Sequence, residues 1–209
     1  FLYTILIPRA PEEVIADNNS RDFPVSVVDK RLPVLYLEGS PREEYRFLRR
    51  ALFRDKDFRI ASVLRVEGPK KFLLQGAEPE DRLSEGYPKS LEDLYRFEAV
   101  IFGDIEAGYL TRQQLEMTEE FVRKGGRGFC MLGGVNSFNL GNYQNTIIEK
   151  MLPVLLPPAT VAYQQREFGI TLTEAGEKHP VMMQSSNVLF NRNIWSKAPT
   201  LIGLNPVAK

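Results

Sequence analysis

The sequence is poor in the side chains that most often carry catalysis and metal binding. Its 209 residues include one cysteine, Cys130, and one histidine, His179. A single cysteine excludes an internal disulfide and a thiolate-rich zinc site. Lys plus Arg and Asp plus Glu balance at 27 each, so no net field attracts nucleic acid or an anionic membrane. We expect no metal ion, no cofactor and no nucleic-acid partner.

Long apolar runs are also missing. No run approaches the roughly 18 residues that a membrane span needs, so these residues are not expected to cross a bilayer. Phe1 begins inside an alternating apolar run, and Lys209 follows LIGLNPVAK without a stop signal. The sequence therefore indicates a fragment of a larger protein that is truncated at its C-terminus.

Residues 1–31 differ in texture from the rest of the chain. FLYTILIP and FPVSVVD have strand composition, and the polar loop between them contains Asp17, Asn18 and Asn19. This pattern predicts a hairpin-like pair of strands. Because an isolated pair is marginal in water, we expect it to be the tail of a preceding β-sandwich of the immunoglobulin-like type.

Residues 32–209 alternate between strand and helix patterns. Short apolar runs predict four strands, at 34–37, 58–66, 98–105 and 129–132. Helical patterns follow the first three. Apolar rather than alternating strands favour a mainly parallel sheet with helices on both faces, and right-handed crossovers make it doubly wound. The fold class predicted is α/β.

Capping residues place the helix starts. Ser40, with Pro41 at the first helical position and Glu43 completing a capping box, predicts the first start. Ser90 and Thr111 predict the other two. Residues 67–88 are polar and interrupted by Gly and Pro, which predicts a long connection that is functional or mobile.

The pattern weakens after Phe138. IIEKMLPVLLPP, residues 147–158, predicts a short helix that its prolines end. FGITLTEAG, residues 168–176, predicts a strand, and the remaining residues mix turns with apolar runs.

Four segments taken in order resemble a known family. They are VLYLEGSPREEYRFLRRAL, EAVIFGDIEAGYLTRQQLEMTEEFVRKGG, GFCMLGGVNSF and KHPVM. Together they resemble the class I glutamine amidotransferase-like domain of large bacterial membrane-anchored proteins, often found beside von Willebrand factor A or immunoglobulin-like modules. The resemblance implies a flavodoxin-like sheet and, in the true enzymes, a Cys-His-Glu triad with the cysteine in a G-x-C-x-G elbow.

The chain departs from that triad. Cys130 lies in G-F-C-M-L-G, one residue wide of the elbow spacing, and is predicted to be a buried core residue with a raised pKa. His179 is followed by Pro180 and Val181, and Val181 stands where the resemblance places the carboxylate. We expect His179 to cap a turn before Pro180, and we expect the domain to lack glutaminase chemistry.

Four other residues mark the place where a ligand would bind. Glu38 and Asp104 follow the first and third strands and are expected to converge at the switch point of the sheet. Asn136 and Ser137 follow the fourth strand and are expected to cap a helix or turn. Ser137, Glu38 and Asp104 are also the candidate catalytic residues.

Two interpretations of the carboxylates stay open. They could serve acid–base chemistry or hold a cation. They could instead pair with Arg42 or Arg46 and fix the loops, which we favour because ion-pair networks also gather carboxylates.

The function predicted is therefore a non-catalytic amidotransferase-like domain that acts as a structural or binding module. Its partners would be flanking domains of the same protein or other proteins. Its location would be a soluble part of a membrane-anchored, extracytoplasmic protein. The alternative is a hydrolase-type enzyme with a rewired site at the carboxyl ends of the strands.

Overall fold

The chain divides into two compact units in a computed structural model, Phe1–Arg31 and Leu32–Lys209. The structure describes residues 1–15, 17–26, 31–67, 71–158, 160–161 and 163–208. In the first unit β1 (Leu2–Leu6) and β2 (Ser20–Pro24) pair antiparallel, so the predicted hairpin-like pair is present. The second strand was expected at 23–29 but begins at Ser20, within the expected loop, and residues 27–29 lie outside the described residues. That this pair is the tail of a β-sandwich stays a prediction.

The second unit is built on a five-stranded sheet. Its strands are β3 (Leu32–Glu38), β4 (Phe58–Glu67), β5 (Lys71–Gln75), β6 (Ala99–Phe102) and β7 (Gly128–Met131). The order is β5-β4-β3-β6-β7, and every neighbouring pair is parallel except β4 with β5. The prediction of an α/β domain with a mainly parallel sheet is confirmed.

Helices lie on both faces of this sheet. They are α1 (Glu43–Arg54), α2 (Leu91–Leu94) and α3 (Arg112–Arg123). Tyr45 of α1 packs with Tyr36 of β3 on one face. Phe121 of α3 joins the larger core with Leu35 and Phe102 on the other face. Alternate residues of β3 and β6 therefore serve two separate cores, because successive side chains of a strand point to opposite faces.

Two of the three predicted caps are present. The Ser90 hydroxyl accepts a 3.2 Å hydrogen bond from the N–H of Asp93. Thr111 and Gln114 form a reciprocal capping box, with bonds of 3.2 and 2.9 Å. Each cap satisfies main-chain donors that a helix start leaves free.

The predicted cap at Ser40 is wrong. Helix α1 begins at Glu43, and its N-cap residue Arg42 makes no side-chain capping bond. The Ser40 hydroxyl instead donates to Asp104, 3.3 Å away. The residues between β3 and α1 are held by a tertiary contact rather than by a local box, and local spacing does not reveal such a contact.

The interpretation of 67–88 as one long connection is also wrong. β5 occupies Lys71–Gln75 and pairs antiparallel with β4, with a register shift between Arg65 and Glu67. Residues 68–70, in the predicted loop, lie outside the described residues. β5 has only a short Phe-Leu-Leu run between Lys71 and Gln75, so composition does not separate it from the polar residues around it.

The predicted buried strand 129–132 lies at the other edge of the sheet. Its residues are half-buried or exposed, and Cys130 is exposed rather than buried in the core. Among the described residues β6 alone pairs with this strand, and no described strand lies along its other side.

The C-terminal predictions fail in detail. Residues 147–158 form a 3₁₀ turn, Glu149–Met151, and an isolated antiparallel bridge from Leu155 to Ala208 in place of the predicted helix. The predicted strand 168–176 is replaced by β8 (Gln164–Phe168), which pairs antiparallel with β9 (Leu201–Leu204), and by α4. The helices here are α4 (Glu174–Lys178) and α5 (Val188–Ser196). Thr173 caps α4 at the N–H of Gly176, which stops the strand pattern from continuing.

Candidate functional site

The polar residues singled out from the sequence gather where β3 and β6 end. These strands are neighbours, and the chain leaves them toward opposite faces, to α1 after β3 and to α3 after β6. Such a point is the switch point of the parallel sheet, where loops part and leave a crevice. Glu38 is the last residue of β3, and Asp104 lies two residues after β6. The structure brings them together as predicted.

Glu38 is completely buried. Its carboxylate accepts five hydrogen bonds, which come from Tyr36 Oη (2.8 Å), Gly39 N (3.0 Å), Ser40 N (3.3 Å), Asp104 N (2.8 Å) and Arg42 Nε (3.2 Å). A carboxylate offers about four lone-pair positions. Its accepting capacity is therefore filled by the protein itself.

The Asp104 carboxylate is also hydrogen-bonded by the protein itself. It is 3% exposed, and its carboxylate accepts from Asn136 N at 2.5 Å, Asn136 Nδ2 at 3.2 Å and Ser40 Oγ at 3.3 Å. The Ser137 hydroxyl lies 3.5 Å from the same carboxylate. Asp104 therefore ties the loop after β3 to the turn after β7.

Ser137 is buried and donates a 3.0 Å hydrogen bond to the carbonyl of Gly103. Neither Ser137 nor Asn136 caps a helix with its side chain, so the helix half of that expectation is wrong. Both side chains instead hold the turn of residues 133–138 against the end of β6. The reason is the parallel sheet, which brings the ends of β6 and β7 side by side.

Glycines let the backbone approach these carboxylates. A Cβ on Gly103 would lie 2.3 Å from Glu38 Oε2, and one on Gly134 would lie 2.2 Å from Asp104 Oδ1. Both distances are shorter than any van der Waals contact, so a side chain at either position would displace a carboxylate.

Arg42 links Glu38 to the turn after β7. Its Nε donates to Glu38, and its Nη1 donates to the Gly133 carbonyl at 2.6 Å. Its Nη2 is buried and has no partner among the described residues. Arg46 pairs with Glu43 instead. Of the two arginines expected as partners of the carboxylates, Arg42 is therefore the one that reaches the site.

Tyr36 is a permanent donor in this network. Burial raises the pKa of its hydroxyl strongly, and the neighbouring Glu38 carboxylate raises it further. The hydroxyl therefore stays protonated at physiological pH and continues to donate to Glu38.

The sequence analysis missed a second ion pair beside the site. Arg65 of β4 donates to the Gly39 carbonyl at 3.1 Å and pairs with Glu106. Partial burial by itself raises the pKa of Glu106, but the hydrogen bond from Arg65, a main-chain hydrogen bond and the positive charge of Arg65 together outweigh burial, so the net shift is downward. Arg65 was visible near the end of the second apolar run, but its partner Glu106 lies 41 positions away and no local pattern indicated it.

Asn205 was missed as well. Its Oδ1 accepts from Gly134 N at 2.8 Å, and its Nδ2 donates to the Gly134 carbonyl at 2.9 Å. The side chain is buried and imitates a strand partner for the turn. Because the two residues are 71 positions apart, no local pattern could reveal the contact.

Cys130 and His179 take part in separate contacts. Cys130 is exposed as a residue, yet partial burial of its thiol raises its pKa. His179 Nδ1 accepts from Val181 N at 3.2 Å and caps the turn Pro180–Met182, as predicted. Among the described residues, neither side chain makes a hydrogen bond that would join it to the other in a catalytic pair.

The described residues lack two further features. Within those ranges, no group of three or more His, Cys, Asp and Glu side chains is placed to hold a metal ion. None of the described helices combines the length and apolar content that crossing a bilayer requires.

Comparison with known proteins informs the fold alone. The chain matches no protein-family model and no curated protein. A solved structure, the cytoplasmic protein STM3548 from Salmonella typhimurium, is similar with a TM-score of 0.57 and 18% sequence identity. The match covers 85% of this chain and 74% of that chain. At this identity it supports the α/β architecture of this chain and carries no statement about activity.

Proposed function

We propose that residues 32–209 form an amidotransferase-like domain that keeps a flavodoxin-like scaffold and lacks the reaction. In this proposal it is a structural or binding module of a larger membrane-associated protein, and residues 1–31 belong to a preceding β-sandwich. The order of the parallel strands supports the scaffold. Numbered along the chain, they run second, first, third, fourth, which is the order of flavodoxin-like sheets.

The state of the Glu38 and Asp104 carboxylates carries the proposal. Glu38 accepts five hydrogen bonds, and Asp104 accepts three, from Asn136 N, Asn136 Nδ2 and Ser40 Oγ. A general base or a cation ligand needs a free lone pair aimed at its target. Most lone pairs of the two carboxylates are engaged by the protein itself, so the carboxylates fix three loops to one another.

The triad positions support the same conclusion. Cys130 lies on an edge strand, away from the turn at Gly133 and Gly134, and its pKa is raised, whereas a nucleophilic cysteine has a lowered pKa. His179 accepts a main-chain bond with Nδ1 at a separate turn. No carboxylate follows it, because Val181 occupies that place.

The alternative, a hydrolase with a rewired site, depends on Ser137. A serine nucleophile needs a base that removes its proton and access to substrate. The Ser137 hydroxyl is buried and donates to a main-chain carbonyl, with Asp104 3.5 Å away. This geometry favours a tether over a nucleophile.

Activity assays separate the two functions. Purified chain is incubated with glutamine, with release of glutamate measured, and with p-nitrophenyl acetate as an activated ester. We expect rates equal to those of the Cys130→Ser and Ser137→Ala variants and to the protein-free background. Turnover of glutamine that Cys130→Ser abolishes would contradict the proposal. Ester turnover that Ser137→Ala abolishes, while Cys130→Ser retains it, would establish the hydrolase instead.

A further inference from the structure

The outer side of β7 offers unpaired main-chain groups. On its inner side Gly128 N donates to Glu98 O at 2.9 Å, and Leu132 N donates to Phe102 O at 2.8 Å. Because main-chain groups alternate along a strand, those of Phe129 and Met131 point the other way. Among the described residues they have no hydrogen-bond partner, since the sheet ends at this strand.

A cavity of about 760 Å³ runs along this free side. One wall is β7, and the other includes Leu201, Ile202 and Leu204 of β9 together with residues 151–154. The described hairpin β8–β9 therefore stands across a gap from the edge strand without pairing to it.

The size of the gap matches one more strand. A strand rises about 3.3 Å per residue, lies about 4.8 Å from its neighbour and fills about 10 Å between packed layers. Four residues opposite β7 would thus occupy roughly 600 Å³ on those dimensions. The cavity holds that volume with some space left at its mouth.

The two edges of the sheet differ in protection. Proteins shield exposed edges with lysine, proline or bulges, because an open edge recruits other strands. The β5 edge begins with Lys71, and its pairing with β4 shifts register between Arg65 and Glu67. β7, with the sequence Gly-Phe-Cys-Met, carries none of these devices.

Charge on the lining restricts the occupant further. The charged lining residues are Arg42 and Glu44, and Arg42 binds the Gly133 carbonyl just beyond β7. Both lie at that end of the groove, where Arg42 is already paired with Glu38, and the rest of the lining is uncharged. The complementary occupant is an uncharged, apolar segment.

We propose that β7 accepts an extended, uncharged peptide segment of another polypeptide as a sixth strand, which fills the groove between β7 and β9. The unpaired main-chain N–H and C=O groups of Phe129 and Met131 favour a peptide over a lipid or another small apolar molecule. Only a peptide presents alternating donors and acceptors that match them. The proposal is independent of the loop network at Glu38 and Asp104.

The test uses the whole chain and a soluble probe, an acetylated and amidated hexapeptide of alternating threonine and valine. Amide exchange at Phe129 and Met131 is followed by NMR. Cys130, the only cysteine, reports on the groove through its rate of modification by an aromatic disulfide. At saturating peptide we expect exchange at both amides to slow at least tenfold and modification to slow severalfold. The same peptide with a central proline should have no effect.

Two variants connect these effects to the groove. Ile202 is 66% exposed and lines the cavity, so Ile202→Lys should weaken peptide binding at least tenfold without unfolding the chain. Leu189→Lys changes an apolar residue of α5 that is 75% exposed and does not line the groove, so it should leave binding unchanged.

Three results would overturn the proposal. One is unchanged exchange at Phe129 and Met131 with the peptide at millimolar concentration. Another is protection that rises with protein concentration alone, which would make a second copy the occupant. The third is slower modification of Cys130 with decanoate but not with the peptide, which would make the groove a small-molecule site.

Discussion

The main-chain N–H of Asp104 donates a 2.8 Å hydrogen bond to the Glu38 carboxylate, and this bond joins the ends of β6 and β3. It lies at the one place where the parallel sheet changes the direction of its crossovers. The loops there would otherwise part and leave a crevice. Here two buried carboxylates close that crevice from within, so a position that often holds a ligand serves as an internal joint.

Glu38→Gln should destabilise the chain. The amide places an N–H₂ group in a site surrounded by donors, of which the Arg42 guanidinium is one. Breaking a buried ion pair costs about 3 kcal/mol or more, and this corresponds to roughly 10 °C in melting temperature for a domain of this size. The comparison is by thermal melting with Glu43→Gln, whose side chain is 65% exposed and whose loss should cost under about 1 kcal/mol. Equal melting temperatures for the two variants would show that the carboxylate is dispensable.

Gly103→Ala should also destabilise the chain, through steric displacement of Glu38. The new Cβ would lie 2.3 Å from Glu38 Oε2, whereas Gly108 has no atom within 4 Å of the same position. Overpacking of this kind costs about 1–3 kcal/mol. Urea denaturation should show that loss for Gly103→Ala and almost none for Gly108→Ala. A pair of indistinguishable midpoints would mean that the loop absorbs the extra carbon.

Much of the fold was predictable because its signals are local. The apolar runs of β3 and β6 and the caps at Ser90 and Thr111 depend on residues a few positions apart. The meeting of Glu38 with Asp104 was also predictable, since parallel neighbours present their carboxyl ends at one edge.

The predictions that failed depend on which strand ends the sheet and on contacts between residues far apart in the sequence. The residues around Cys130 have the composition of a core strand. Cys130 is nevertheless exposed, because no described strand lies beyond β7. The bond between Asn205 and Gly134 joins residues 71 positions apart. Ser40 has a capping pattern but binds Asp104, because a tertiary acceptor lies within its reach.

Acid should remove the contribution of Glu106. Its pKa is lower in the folded chain than in the unfolded chain, because Arg65 donates to it. Its stabilisation is therefore complete above the unfolded pKa and is lost as the pH falls through the folded pKa. The free energy of unfolding of wild type minus that of Glu106→Gln should be positive at pH 7 and should shrink steadily as the pH falls below the unfolded pKa. Glu167→Gln, an exposed residue of β8, is the control. If this difference in the free energy of unfolding grew as the pH fell, the pKa of Glu106 would be raised by folding and not lowered.

Asn205→Ala should release the turn at Gly134. Both main-chain groups of Gly134 bind the Asn205 side chain, and unpaired buried groups cost about 1–3 kcal/mol. Hydrogen exchange at the Gly134 amide should become at least tenfold faster, while exchange in the centre of β3 changes only with overall stability. Asn193→Ala, on the exposed side of α5, should leave both unchanged. Unaltered exchange at Gly134 in Asn205→Ala would show that the turn is stable without the Asn205 side chain.

Cys130 offers a direct test of whether any base activates the thiol. It is exposed to reagents, but partial burial raises its pKa, so less thiolate is present at neutral pH than in a free cysteine peptide. The rate of its reaction with iodoacetamide should rise with pH to a midpoint above that of the peptide. His179→Ala should leave the whole profile unchanged, because His179 binds Val181 at a separate turn. A fast reaction below pH 7 that His179→Ala removes would reveal a cysteine–histidine pair, and the non-catalytic assignment would then fail.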